Sequence, residues 1–528
     1  MLLPTIGPDA TTQPPAADEA AGAPLYLRLA RHYAQAIEQG TLAAGSRMPS
    51  VRELMLRHRI SLSTGLHVLR LLEEQGRLQA RPRVGYFVRD PALVRLPAAR
   101  EPDLYALLPP AMDASLAALP LVREPALHAS FASADDTPFI GINRHISLIL
   151  EKARRAGPLR VDLGNAMPAP ELFDARALNR LATALLREQP DILVYGPSAP
   201  TTHPEFQRAM ARHALTFGVS VAPGEVLATH GNSEAVNLAL SAVAEPGDAI
   251  AGESPTFFGI LQAIEAQGLR ALEIPCSPHT GISLEALDLA VRSEPRLRAV
   301  VVVPHLQMPQ GAIMPDAHKQ RIVAFCAEHG LALIEDDIYR EFVESPQPLH
   351  PAKAWDRGGD VIYCASLSKS SAPGLRQGWM NAGRWQQRVQ MLKFARTRNM
   401  QTWSQLLAAR SVGSPGHERH LRRLRAQLRQ QRESAAQAIA RWFPAGTRLS
   451  LPRGGLSLWL ELPEGLSSMR LYDAALARGI RVAPGPMFSN TGRYERFLRL
   501  SCGMPFTPRV EQAYRELGEL LGRTAGGA

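Results

Sequence analysis

From about residue 156 onward, short apolar runs of strand length alternate with helical patterns, and that alternation admits few folds. Residues 226–228, 299–303, 331–334 and 361–364 read as strands. Apolar runs without polar alternation suit strands buried on both faces, so the pattern predicts a parallel sheet covered by helices. Ligands bind such sheets just beyond the C-terminal strand ends, and three polar stretches stand there. His230-Gly231-Asn232-Ser233-Glu234 opens a helix that continues to Val243, and a glycine turn into a helix N-terminus is a natural phosphate site. Glu335-Asp336-Asp337-Ile338-Tyr339 follows the third run. Ser366-Leu367-Ser368-Lys369 follows the fourth, with Gly374-Leu375-Arg376 beyond it, the arginine seven residues on from the lysine. A desolvated lysine amine forms imines, and an arginine fork grips phosphate.

With 528 residues the chain exceeds a single core and divides into two or three domains. Residues 1–23 contain four prolines and no Lys or Arg. They read as a disordered tail rather than a targeting segment, which points to the cytoplasm. No apolar run is long enough to span a membrane. The four cysteines are widely spaced, so neither a disulfide framework nor a metal site is expected.

Net charge is +10, and its placement matters more than its size. Residues 24–90 hold eleven arginines, no lysine and five acids. Residues 25–39 carry apolar positions at helical spacing and stop at Gly40. Ser50 and Glu53 form a capping box that opens a second helix. A third helix starts at Ser61-Leu62-Ser63-Thr64 and runs through Leu72 to Gly76. Residues 78–80 and 86–88 then read as two strands around the turn Arg81-Pro82-Arg83-Val84-Gly85. This is a helix-turn-helix followed by a wing, mainly α with a small β part. Ser61, Ser63, Thr64 and His67 on the third helix would meet double-stranded DNA. Arg47, Ser50, Arg52, Arg81 and Arg83 would add backbone or groove contacts. Residues 91–138, with eight prolines, read as a linker with short helical pieces around Leu104 and Leu116.

The stretches Gly45-Ser46-Arg47-Met48-Pro49-Ser50-Val51-Arg52-Glu53-Leu54, Ser61-x-Ser63-Thr64, Leu72-Glu73-x-x-Gly76 and Gly85-Tyr86-x-Val88 resemble the GntR family of winged-helix regulators over residues 24–90. Two positions depart from that family. Leu62 stands where many members have Arg, and Gly65 replaces a usual Val at a cost of roughly 0.5–1 kcal/mol in helix propensity relative to Ala.

Residues 156–523 resemble the fold type I aminotransferases, which use pyridoxal 5′-phosphate (PLP). The resemblance implies an α/β domain over about 139–523 with a small C-terminal α+β subdomain from about 440. It implies a Schiff base between PLP and Lys369, and Asp336 on the ring nitrogen as the electron-sink partner. Tyr339 would meet the ring oxygen and Phe257 the ring face. Asn232, Ser233, Ser366, Ser368 and Arg376 would hold the phosphate, and Arg499 the carboxylate of an amino compound.

Both halves together resemble the MocR subfamily of GntR regulators. That implies a homodimer through the large domain that binds an operator and senses PLP or an amino effector through imine exchange at Lys369. Two alternatives stay open: a working class I/II aminotransferase with an accessory DNA-binding domain, and a DNA-binding protein whose large domain is only a dimerisation scaffold. The family's ring-contacting asparagine is Met308 here, which cannot make that hydrogen bond. The segment from Tyr195-Gly196 departs at Pro200 and Phe206-Gln207. PLP binding is expected to survive these changes and transamination to suffer. Finally, residues 419–432 place six arginines on a helix with Leu421, Leu424 and Leu428. That fits a surface helix with an apolar stripe, or a second DNA-facing or interdomain surface.

Overall fold

The computed structural model describes residues 24–81, 84–89, 96–100, 141–194, 202–345 and 349–525. The expected tail 1–23, Arg83, most of the expected linker with Leu104 and Leu116, and Tyr195, Gly196 and Pro200 lie outside the described residues. The chain forms two compact units, Met1–Ala92 and Leu93–Ala528.

In the first unit α1 (Leu25–Glu38), α2 (Val51–His58) and α3 (Leu62–Glu74) precede the antiparallel pair β1 (Leu78–Arg81) and β2 (Gly85–Val88). Ala30, Tyr33 and Ile37 meet Leu54, Val68, Leu69 and Leu72 in one apolar core. The capping box at α2 forms as its sequence predicts: Glu53 N–H donates to Ser50 Oγ at 3.3 Å and Ser50 N–H to Glu53 Oε2 at 2.6 Å. Gly65 has a packing reason, since a Cβ there would lie 3.2 Å from Val51 Cγ1. Its missing side chain brings α3 close to α2. The sequence did not announce that residues 46–48 pair with β2, through Val88 N–H to Ser46 O at 2.9 Å and Met48 N–H to Tyr86 O at 2.8 Å.

The second unit contains β3 (Val161–Asp162), β4 (Leu227–Thr229), β5 (Ala249–Ser254), β6 (Arg270–Ser277), β7 (Gly281–Ile282), β8 (Leu297–Val302), β9 (Ala332–Asp336), β10 (Val361–Ser366), β11 (Gly378–Asn381), β12 (Arg448–Ser450), β13 (Ser457–Glu461), β14 (Ile480–Arg481), β15 (Ala483–Pro484) and β16 (Phe497–Ser501). Eight of them form one sheet in the order β4-β11-β10-β9-β8-β5-β6-β7. Its middle, β10-β9-β8-β5-β6, is parallel. The expected parallel sheet holds through this middle, while at the edges β11 turns back from β10 and pairs antiparallel with both β10 and β4, and β7 pairs antiparallel with β6. Burial on both faces holds: Ala299, Val301 and Val303 enter one apolar cluster, Val300 and Val302 the other. Strands β5 (AIAGES) and β6 (RALEIPCS) escaped the sequence reading because small and polar residues interrupt them.

A second, antiparallel sheet has the order β12-β13-β16-β15, and β3 pairs parallel with β14. The arginine-rich segment lies on the helix Pro415–Trp442. Leu421, Leu424 and Leu428 are buried, as the apolar-stripe reading expects. Arg429 and Arg432 are buried too: they reach Glu344 at 2.7 and 2.6 Å, and Arg432 also donates to the Gly455 carbonyl. Only Arg419, Arg422 and Arg423 of the six are exposed, while Arg425 is half-buried. Among the described residues no helix is long and apolar enough to cross a membrane, and no cluster of His, Cys, Asp and Glu fits a metal ion.

Candidate functional site

The polar residues singled out in sequence converge where β4, β9 and β10 end. Gly231 adopts φ +77° and turns the chain from β4 into the helix Asn232–Val243, whose first amides face outward. A Cβ on Gly231 would sit 3.1 Å from Arg376 Nη2, so the bare glycine lets the guanidinium lie over the helix start. Arg376 itself takes φ +49°. Ser366 and Ser368, at the end of β10 and just past it, are buried. Ser366 Oγ donates to the Gln377 carbonyl at 3.2 Å and accepts the Ser368 N–H at 3.1 Å. Ser368 Oγ and Asn232 Oδ1, both buried, have no hydrogen-bond partner among the described residues. Ser233 is exposed at the second position of the helix. Helix amides, an arginine fork and the idle Ser368 hydroxyl make an anion cradle.

Lys369 lies in the loop between β10 and β11, with Nζ donating to the Tyr339 hydroxyl at 2.9 Å and the Ala166 carbonyl at 2.7 Å. Two adjacent carboxylates end β9 in different states. Asp337 accepts from Arg340 Nε at 3.0 Å, from Tyr363 Oη at 2.8 Å, and pairs with His305 Nδ1 at 2.6 Å. Burial alone would lift it, but His305 and Arg340 hold it below the ordinary value. Lys319 Nζ stands 3.0 Å from His305 Nε2, so that nitrogen accepts and the ring proton belongs on Nδ1, toward Asp337. Among the described residues Asp336 has no hydrogen-bonded cation, and Lys369 acts on it only from a distance. Burial pushes it up to about 7, against the lowering effects of the Ile338 amide, Lys369 and Asn232. Glu253 at the end of β5 is pushed up to about 8, chiefly by burial and further by Asp336. Environments that push paired acids apart in this way mark working sites.

Arg499, on β16, is 1% exposed. Burial pulls its guanidinium down to about 10. Nη2 donates to the Gly164 carbonyl and Nη1 points at Met308 Sδ, 3.9 Å away, while Nε has no hydrogen-bond partner among the described residues. The Tyr339 side chain lies within electrostatic range of Arg499, so the lysine and the arginine flank one tyrosine. Phe257 is half-buried at the start of the helix Phe258–Ala266, its ring 4.7 Å from that of Phe258.

Sequence reasoning missed the backbone carbonyls of Gly164 and Ala166, which carry no side-chain signature. It also missed a histidine clasp under the lysine loop. His417 Nε2 lies 2.7 Å from Ser371 Oγ, and His420 Nε2 donates to the Ser370 carbonyl at 2.8 Å. Both histidines stand at the edge of the arginine run that drew notice for its charge.

In the first unit, Ser61 caps α3 by accepting the Thr64 N–H at 3.2 Å and touches Ser63 Oγ at 2.8 Å. Leu62 and Ser63 are exposed at the start of this helix and Arg70 further along it, and the His67 ring rests 5.5 Å from Tyr26. Arg52 is exposed, Ser50 is engaged in its cap, and Arg81 stacks over Phe87 at 4.2 Å. The first unit thus carries exposed arginines on α2 and α3 and Arg81 at the end of β1.

The family of bacterial regulatory proteins named for gntR matches residues 25–88, and aminotransferase class I and II matches residues 168–512. The uncharacterized HTH-type transcriptional regulator YdcR of Escherichia coli (strain K12) is 34% identical over 496 residues, 94% of this chain and 98% of its own. YjiR of the same organism is 31% identical over 500 residues, covering 94% and 99%. Among solved structures, the α-aminoadipate aminotransferase LysN of Thermus thermophilus, complexed with N-(5′-phosphopyridoxyl)-L-leucine, shares 28% identity at a TM-score of 0.65, over 72% of this chain and 96% of its own.

Proposed function

We propose, from the premise that this chain belongs to the class I and II aminotransferase family and carries a gntR-type regulatory head, that its large unit senses an amino compound and its head answers on DNA. It is a PLP-dependent DNA-binding regulator. The observation that carries the site assignment is the set of idle buried groups around Lys369: Asn232 Oδ1, Ser368 Oγ and Arg499 Nε. Idle polar atoms at such depth cost about 1–3 kcal/mol each, so they are kept for a ligand.

PLP fits this donor set. The helix start at Gly231–Ser233, Ser366, Ser368 and Arg376 would hold its phosphate, Asp336 its ring nitrogen, and Phe257 its ring face. Bound there, PLP supplies an aldehyde that condenses with primary amines and a ring that withdraws electrons. The chain's own residues do the rest. Tyr339 and the Ala166 carbonyl fix the Lys369 amine in position. Asp336 supplies a carboxylate already burdened by burial, which gains by meeting a cation. Arg499 binds the carboxylate of the incoming amino compound. Met308 offers no hydrogen bond where an asparagine would, so the cofactor is held with one polar contact fewer, which favours sensing over turnover. A second reading, a working aminotransferase, is favoured by the intact set Lys369, Asp336, Tyr339 and Arg499.

In the head, α3 enters the major groove. Ser61, Ser63, Thr64 and His67 face base edges, while Arg47, Ser50, Arg52, Arg81 and Arg83 contact the backbone or the adjacent groove. The protein acts in the cytoplasm as a homodimer through its large unit.

Borohydride reduction of protein supplied with PLP, followed by peptide mapping, tests the assignment. Label on Lys369 is expected, and label elsewhere or none overturns it. Sustained keto-acid formation from amino donors would instead support the aminotransferase reading.

A further inference from the structure

Residues 96–100 fall in the stretch expected to be linker, yet they are fastened to the large unit. The Leu449 N–H, on the edge strand β12, donates to the Pro97 carbonyl at 2.8 Å. Leu96 and Ala99 pack against the apolar core. Arg100 then closes on Glu461 with three hydrogen bonds: backbone N–H to Oε2 at 2.8 Å, Nε to Oε1 at 3.0 Å and Nη2 to Oε1 at 2.9 Å. The Glu461 side chain is only 2% exposed, and its other cation, Arg496, stands 3.5 Å away. A carboxylate so buried depends on its partners. A proline at the sheet edge accepts this bond while offering no N–H to continue the ladder.

The clamp and the proposed effector arginine share one sheet. Glu461 lies on β13 opposite Phe497, and Arg499, two residues further along β16, lies opposite Trp459. Directly paired antiparallel strands move as a body. On the other side, β2 ends at Val88, only eight residues before Leu96 in the chain. Residues 101–138 therefore do not separate the head from this sheet; the short path through Arg100 does.

We infer that the Arg100–Glu461 clamp couples the effector site to the DNA-binding unit. The inference rests on the reading that Arg499 receives the effector carboxylate. A ligand shifts DNA affinity only through an element whose position both equilibria bias. The β13–β16 sheet, gripping the ligand at Arg499 and the leash at Glu461, is that element.

The test uses the full-length protein loaded with PLP and the standard L-amino acids, each scored by its change of the cofactor's visible spectrum. The amino acid that changes the wild-type spectrum is the probe. DNA affinity is then measured with and without it at fixed salt. The wild-type protein is expected to show a ratio of about 5-fold or more. Arg100→Ala is expected to keep the spectral response and the ligand-free DNA affinity while its ratio falls to one. Arg100 is half exposed, and in the variant Glu461 keeps Arg496 and the backbone N–H of residue 100, so the variant folds. A Gly-Ser insertion between Asp90 and Pro91 leaves the clamp intact and slackens the leash, and is expected to lower the ratio in the same way. A full wild-type ratio in either variant overturns the inference. A ratio of one in the wild-type protein overturns the sensing reading beneath it.

Discussion

Replacing Asp336 with Asn should stabilise the cofactor-free protein while weakening its hold on PLP. Burial raises this carboxyl to about 7 from an ordinary 3.8. For an acid shifted upward, native stability is undiminished below the unfolded-state value and is lost as pH rises toward the folded-state value. The deficit then stays constant. Three units correspond to about 4 kcal/mol by pH 8, against under about 2 kcal/mol at pH 5. Asparagine keeps an oxygen for the Ile338 amide, 3.3 Å away in the native protein, and carries no charge to desolvate. The variant should therefore exceed wild type in stability by an amount that grows by about 2.5 kcal/mol from pH 5 to pH 8. Urea unfolding of the apo protein at both pH values, following the transition of the large unit, measures the difference. PLP titration of the same samples should show affinity reduced by at least about 100-fold, since a desolvated charge partner is lost. A variant less stable than wild type at pH 8, or a difference that ignores pH, would refute the claim that Asp336 is strained for the sake of a cation.

Arg499→Met should likewise raise apo stability, by about 1–3 kcal/mol, because a buried guanidinium with an idle Nε gives way to an apolar chain. The visible spectrum of its PLP form should no longer respond to carboxylated amines. Glu344→Gln removes the anion shared by buried Arg429 and Arg432 and should cost about 3–5 kcal/mol in thermal or urea unfolding. Arg423→Ala on the exposed face of the same helix should cost next to nothing. Arg81→Ala should weaken binding to all DNA sequences alike and reduce the slope of log affinity against log salt by about one.

The head was legible because its signals are local. A serine three residues before a glutamate makes a capping box, and the amides and hydroxyls that form it are neighbours in the chain. The candidate site residues were legible for a related reason, since each sits within a few residues of the end of an apolar run. Lys369, Asp336 and the Gly231 turn do meet beyond β10, β9 and β4. What sequence could not convey was partnership across long separations. Nothing in the chain near Arg100 advertises Glu461, and nothing near Arg432 advertises Glu344. Helical spacing does place Arg425, Arg429 and Arg432 on the same side as Leu421 and Leu428, yet six arginines in fourteen residues look like a surface until the opposing acid is located. The antiparallel edge strands were hidden for a different reason. Strand direction follows from the connection, and the loop carrying Lys369 is a tight return rather than a helical crossover.

The most direct test of the whole account is the affinity of the full-length protein for its operator at one fixed salt concentration. It should be measured without cofactor, with PLP, and with PLP plus an amino acid that changes the cofactor spectrum, each in wild type and Lys369→Ala. The account predicts that wild-type affinity changes between these states and that the Lys369→Ala protein binds DNA with one affinity throughout. Identical wild-type affinities in all three states, or the same changes persisting without the lysine amine, would contradict it.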